Sequence, residues 1–112
     1  MSITANAVDF IAVLSYRTTA QGGRKTPAFN KYRPQIKFEF SEMQTSGQQK
    51  FLDKEVVHPG DVVEAEIELA SPEIFENKLT EGMPFDFREG SRIIGTGEIK
   101  KIINDRLKKA SR

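Results

Sequence analysis

Cysteine and tryptophan are absent from the 112 residues, and histidine occurs once, at position 58. Without cysteine there is no disulfide, no thiolate nucleophile and no cysteine-built metal site. His58, beside Pro59-Gly60, has no second histidine or carboxylate cluster with which to hold zinc, and reads as a solvated turn residue. No metal and no cofactor are expected. No apolar run approaches the roughly 20 residues that span a bilayer. The opening MSITANAVDF has neither the cationic nor the long apolar region of an export signal. The expectation is a cytoplasmic chain without membrane contact. Catalytic signatures are missing too. Ser15, Ser41 and Ser91 lie in no G-x-S-x-G elbow. There is no G-x-x-x-x-G-K-[ST] phosphate loop, so the chain alone is expected to bind no nucleotide. Glutamates alternating along a strand point outward, which is the wrong geometry for a paired-carboxylate cleft. The chain is read as no enzyme, with no catalytic residue.

Hydrophobic and charged fractions of 38% and 29% are ordinary for a globular domain. The length fits one domain over 1–112 that can bury a core. A net charge of +1 hides strong segmentation. Residues 17–37 carry Arg17, Arg24, Lys25, Lys31, Arg33 and Lys37 with no acid. Residues 38–99 hold five bases against fourteen acids, and residues 100–112 hold six bases against Asp105. A basic loop and a basic tail thus flank an acidic middle.

Period-two alternation marks several strands with one buried face. In DVVEAEIELA, Val63, Ala65, Ile67 and Leu69 fall on one side and Glu64, Glu66 and Glu68 on the other. Ile36, Phe38 and Phe40 are expected to face inward, as are Phe85 and Phe87. VDFIAVLSY and SRIIGTGEIKKII are apolar on both faces, as where a barrel wall meets another surface. On that reading Ile11, Val13, Ile94 and Ile102 are available to a partner, a second copy of the chain included. Turns are expected at Ser46-Gly47, His58-Pro59-Gly60-Asp61, Glu81-Gly82 and Glu89-Gly90. Gly95 and Gly97 suggest a bend or close approach on one strand face. Phe75 and Leu79, in SPEIFENKLTEGMP, read as a cover for the barrel end or, less plainly, as an apolar knob for a partner. The end, IKKIINDRLKKASR, spaces Ile99, Ile102, Ile103 and Leu107 as a short amphipathic helix would, with a frayed basic tail as the alternative. Together these segments predict an all-β fold, a small antiparallel barrel or sandwich of about six strands.

Three blocks then stand in order: GGRKTPAFNKYRPQIKFEF, HPGDVVEAEIELASP and FREGSRIIGTGEIKKII. Together they resemble the C-terminal domain of translation elongation factor Tu, over a core of about 8–103 with 104–112 as a basic tail. The resemblance implies a six-stranded antiparallel β-barrel that is not catalytic. In that family the domain packs on a GTPase domain, contacts the exchange factor and faces the T-stem of aminoacyl-tRNA. Met1 and the added basic tail favour a free-standing protein. Departures from the family pattern include Lys25 for a histidine, Ala28 for an aromatic and Ser71 for a lysine. EMQTSGQQ is also about two residues longer than its family counterpart.

The candidate binding residues are Arg24, Lys25, Tyr32, Arg33, Gln35, Gly90 and Arg92. Arg24, Lys25 and Arg33 belong to the acid-free loop GGRKTPAFNKYRPQ and suit phosphate or carboxylate contacts. Tyr32 lies in the same loop as a packing aromatic. Gln35, Gly90 and Arg92 match or adjoin family positions near the tRNA. Two functions follow. The first is a non-catalytic module for a translation-related protein partner, a second copy of itself included. The second is a tRNA- or rRNA-binding barrel using residues 22–35.

Overall fold

Six strands close on themselves in the computed structural model, which describes residues 7–109. In chain order the strands are β1 (Phe10–Tyr16), β2 (Ala28–Phe29), β3 (Gln35–Phe38), β4 (Gln44–Phe51), β5 (Val56–Val57), β6 (Val62–Leu69), β7 (Pro84–Glu89) and β8 (Arg92–Ile102). The wall runs β1-β6-β4-β3-β7-β8 and returns to β1, antiparallel throughout. β2 and β5 form a separate two-stranded flap. This is the all-β, six-stranded antiparallel barrel that the resemblance implied, and it decides for a barrel where alternation left barrel or sandwich. Among the described residues no helix is long and apolar enough to cross a membrane.

The two ends of the barrel differ. At the loop end sit residues 17–34, the flap and the β7–β8 turn. At the plugged end a 3-10 turn, Pro72–Phe75, drops Phe75 into the lumen. Its ring meets Phe38 edge-on at 4.9 Å, and Phe38 also contacts Phe10 at 6.3 Å and Phe85 at 5.4 Å. Phe75 and Leu79 are fully buried, so this connection covers the barrel end and offers no apolar knob. Asp9, also buried, fastens the same end. Its carboxylate accepts from Leu69 N–H at 2.7 Å and from the Asn104 amide at 2.8 Å.

Several expectations need correction. Ser46 and Gly47 lie inside β4, where Thr45, Gly47, Gln49 and Phe51 face inward. A Cβ on Gly47 would stand 2.6 Å from the Ile36 side chain, so glycine there makes room for core. Phe40 lies past the end of β3 and is exposed, stacked on the outside of Phe38 at 5.7 Å. Ile94 and Ile102 are buried in the core and offer no partner surface. A bulge at Phe87/Arg88 shifts the phase of β8 and turns Ile94 inward. Ile11 and Val13 face outward, but β1 lies between β6 and β8, and the Lys100 ammonium on β8 reaches across it to Glu64 on β6. Ile11 and Val13 themselves are half-buried in the wall.

The tail departs from both alternatives. β8 continues through Ile102, and only Asp105–Leu107 turns, as a single 3-10 turn capped by Asn104. Leu107 is buried. Backbone bonds Asn77 N–H to Arg106 O, Leu79 N–H to Leu107 O and Lys109 N–H to Leu79 O, each 2.8 Å, stitch the tail to the plug. Residues 110–112 of the basic tail lie outside the described residues.

Candidate functional site

The basic loop is built by local capping and then zipped to the barrel. Thr18 and Gln21 form a reciprocal capping box around the 3-10 turn Thr19–Gln21, and Gly22 closes it in the left-handed region at φ 95°. Further along, Lys31 N–H donates to Gln49 O and Gln49 N–H donates to Tyr32 O, both at 2.9 Å. Asn30 accepts from Phe51 N–H at 2.7 Å. The flap pairing Phe29↔Val56 completes the attachment.

Glu89, at the end of β7, is the hub of this end of the molecule. One carboxylate oxygen accepts from both the Arg24 guanidinium and the Tyr32 hydroxyl, and the other faces Arg92 at 3.4 Å. Arg24 also lies over the Tyr32 ring, 4.6 Å from its centroid, and donates to Thr26 O at 3.2 Å and Pro27 O at 3.3 Å. Four of the guanidinium's interactions therefore stay within the chain. Burial pushes the Glu89 carboxyl up, but the bonds from Tyr32 and Arg24 and the nearby guanidinium charges outweigh it. The carboxyl is held below the usual range. Burial, then Glu89, pushes the Tyr32 phenol well above its ordinary value. Behind it Tyr16, also raised mainly by burial, donates to Gln49 Oε1. Among the described residues the Gln49 Nε2 has no hydrogen-bond partner, although the residue is fully buried.

The sequence-nominated residues divide accordingly. Arg24, Tyr32 and Arg92 converge on Glu89, and Gly90 forms the tight turn beside it at φ 63°. Gln35 lies on β3 in register with Arg88 of β7, half-buried in the wall. Arg33 is exposed and donates to Gln48 at 2.7 Å. Lys25 is exposed at the loop tip. Ser71 lies past the far end of β6, roughly 25 Å along the strand from the loop end. Across the wall, however, Ser71 N–H donates to Thr45 Oγ1 at 3.0 Å, and Ser46, Gln35 and Arg88 stand in register beside it, so the lost family lysine is about three strand spacings from the Glu89 end of β7. Glu89 was not nominated as a binding residue. A loop with six cations and no acid needs a carboxylate from elsewhere, but nothing in the sequence selects one of fourteen.

A second feature of this end was also unforeseen. Phe29, Leu52 and Val62 are exposed at 57%, 44% and 57%. The Phe29–Val56 pairing, the Asn30–Phe51 bond and the Leu52 N–H bond to Glu64 O bring their three segments together at the flap. His58 is exposed in the adjoining turn. Among the described residues no cluster of three or more histidine, cysteine or acidic side chains is placed to hold a metal.

Replacing Glu89 with glutamine is expected to lower unfolding free energy by about 2 kcal/mol at pH 7, the scale of charge-assisted hydrogen bonds. Because the folded carboxyl is depressed, its contribution is full above the ordinary glutamate pKa and is lost as pH falls through the folded value. Urea unfolding of both proteins should therefore show the gap at pH 7 and a smaller one near pH 3. A gap independent of pH would remove the charge from the account.

A family model described as the elongation factor Tu C-terminal domain matches residues 4–103 of the chain.

Proposed function

The chain belongs to the elongation factor Tu C-terminal domain family, and from that premise we propose that it is a non-catalytic, protein-binding barrel of translation, acting in the cytoplasm. One observation carries the preference for protein over RNA. The loop end pairs its best phosphate fork, Arg24, with its own Glu89, while leaving Phe29, Leu52 and Val62 in solvent. Apolar side chains gathered beside a polar loop suit the core of a protein interface. An arginine already satisfied by a carboxylate is a weak lure for phosphate.

RNA remains the second reading because Lys25, Lys31 and Arg33 are exposed on the same loop. Two titrations separate the readings. The first is against the exchange factor and the GTPase domain that partner this domain in its family. One should bind, and Leu52→Asp should weaken that complex at least about tenfold. The second is against bulk tRNA across a salt series. Three lysine or arginine contacts would give a log–log slope of about −2 to −3, and Lys25→Ala/Arg33→Ala would flatten it. We expect tRNA binding only at low salt. Binding that survives physiological salt and is lost in the double variant would reverse the assignment. Arg24→Ala is a poor probe for this purpose, because it unfastens the loop whatever the ligand.

A further inference from the structure

The outer wall near the loop end holds a hollow that the protein-binding reading leaves unused. Ser15 of β1 and Thr96 of β8 are cross-strand partners, both exposed, so their Cβ atoms stand about 5 Å apart on one face. Arg17 follows two residues on, exposed on the same side, its N–H fixed to Ile94 O at 2.8 Å. The chain then folds back at once. The 3-10 turn Thr19–Gln21 and the left-handed Gly22 bring Gly23 so near the strand end that a Cβ on it would stand 2.3 Å from Arg17 O. Ser15, Tyr16, Arg17, Gln21 and Thr96 line the resulting open hollow of about 520 Å³, within the size range of small-molecule sites.

The lining is one-sided in charge. Arg17 is its only charged side chain. Arg24, Arg33, Arg88 and Arg92 each have a side-chain partner within the chain, whereas Arg17 has none among the described residues. The Gln21 amide is oriented as well. Its Oε1 accepts from Thr18 N–H at 2.9 Å, which leaves the NH2 as its free group. The wall therefore offers donors from both strands and from the turn above them. Of the carboxylates nearest in register, Asp86 lies across from Thr96 and is forked by Arg88 at 2.7 and 3.1 Å. Asp61, beside Tyr16, accepts from His58 N–H at 2.9 Å and faces Lys54 at 3.8 Å. Glu98 alone stands unpaired, exposed two residues beyond Thr96 on the same face, at the rim of the hollow.

We propose that this hollow binds a small phosphate monoester, its oxyanion held by the Arg17 guanidinium, the Ser15 and Thr96 hydroxyls and the Gln21 amide. A guanidinium takes two phosphate oxygens in parallel, and donors from other directions complete the tetrahedral group. A carboxylate, with two oxygens in one plane, would leave the hydroxyls or the amide unused. The open side leaves room for the organic part of the ester. The site uses none of the three apolar residues assigned to a protein partner, although Val62 borders it opposite Ser15, and its failure leaves that assignment standing.

The test is an NMR titration of the full, isotope-labelled chain with inorganic phosphate and with glycerol phosphate, ionic strength being held constant with chloride. Saturable shifts are expected at the amides of Ser15, Tyr16, Arg17, Gln21 and Thr96, with a dissociation constant of about 1 mM. Arg17→Ala should melt like the wild type, since the guanidinium has no partner to lose, and bind at least about tenfold more weakly. Thr96→Val keeps the shape, removes the hydroxyl and should weaken binding about threefold. Glu98→Gln removes the like charge at the rim and should strengthen binding by about as much. Absence of saturable shifts at about 20 mM ligand overturns the inference, and so does binding indifferent to Arg17→Ala. Shifts confined to Lys25, Lys31 and Arg33 would overturn it by placing the anion on the loop tip. Binding of tRNA that is lost in Arg17→Ala, without any response to phosphate, would overturn the small-molecule assignment and make the hollow a nucleic-acid contact.

Discussion

Phe38→Ala is expected to lower unfolding free energy by about 4 kcal/mol, within the usual range for a buried phenylalanine reduced to alanine. Phe38 is fully buried where four other rings meet it: Phe10, Phe40, Phe75 and Phe85. Phe75 enters from the plug and Phe40 from outside, so Phe38 joins the wall, the lumen and the cover. The neighbours cannot close the gap easily. Phe10 and Phe85 sit on paired strands fixed by their ladders, and Phe75 is tethered by a 3-10 turn. For a domain of this size the melting temperature should fall by about 15–25 °C. Phe38→Leu, which keeps most of the volume, should recover more than half of the loss. A fall of only a few degrees for the alanine variant would mean that the plug settles into the space.

Alanine at Gly95 and at Gly97 should each cost about 3 kcal/mol, but the two should respond differently to compensation. The glycines lie on the inner face of β8 opposite Phe87 and Phe85. A Cβ on Gly97 would stand 2.4 Å from Cζ of Phe85 and 2.8 Å from both Cε atoms. A Cβ on Gly95 would meet Cζ of Phe87 at 2.5 Å and also the Ser15 carbonyl oxygen at 2.6 Å. Shrinking Phe85 to leucine removes the obstacle at Gly97, so Gly97→Ala/Phe85→Leu should be more stable than the sum of its parts. Phe87→Leu leaves the Ser15 carbonyl in the β1–β8 ladder, so Gly95→Ala should stay costly beside it. Urea unfolding of the two double-mutant cycles measures the difference as an interaction energy. Equal rescue in both cycles would contradict the backbone clash.

Most of the barrel was legible because three of its strands, β3, β6 and β7, alternate as they are buried, and β1 and β8 stand out as apolar runs. Val63, Ala65, Ile67 and Leu69 announce β6, and Phe85 and Phe87 announce β7. β4 was hidden because its inward face, Thr45, Gly47, Gln49 and Phe51, is mostly small or polar. Its neighbours supply what is missing: Ile36 and Ile67 fill the space at Gly47, and the Tyr16 hydroxyl meets Gln49. Ile94 was misplaced by a bulge, which changes phase without altering composition. At the loop end the sequence displayed the cations and concealed their counter-charge. Arg24 and Glu89 are 65 residues apart, and only strand register brings them together. The Lys100–Glu64 pair has the same origin, since it exists only because β8 and β6 flank β1.

The place of β1 in that wall has a consequence for how the protein is made. β1 is held between β6 and β8, the last strand made: Phe10 pairs with Ile67 on one side and Ile102 on the other. A ribosome adding roughly 5–20 residues per second needs about 5–20 s to travel from one end of that pairing to the other. Through this interval β1 has no β8, the lumen stays open, and Phe10, Phe38 and Phe85 remain accessible to anything that binds apolar surface. Tail residues through Leu107 must also clear the exit tunnel before the plug can be tied down. Closure therefore waits until residues through Leu107 have left the tunnel, and until then the growing chain keeps this apolar surface open to solvent.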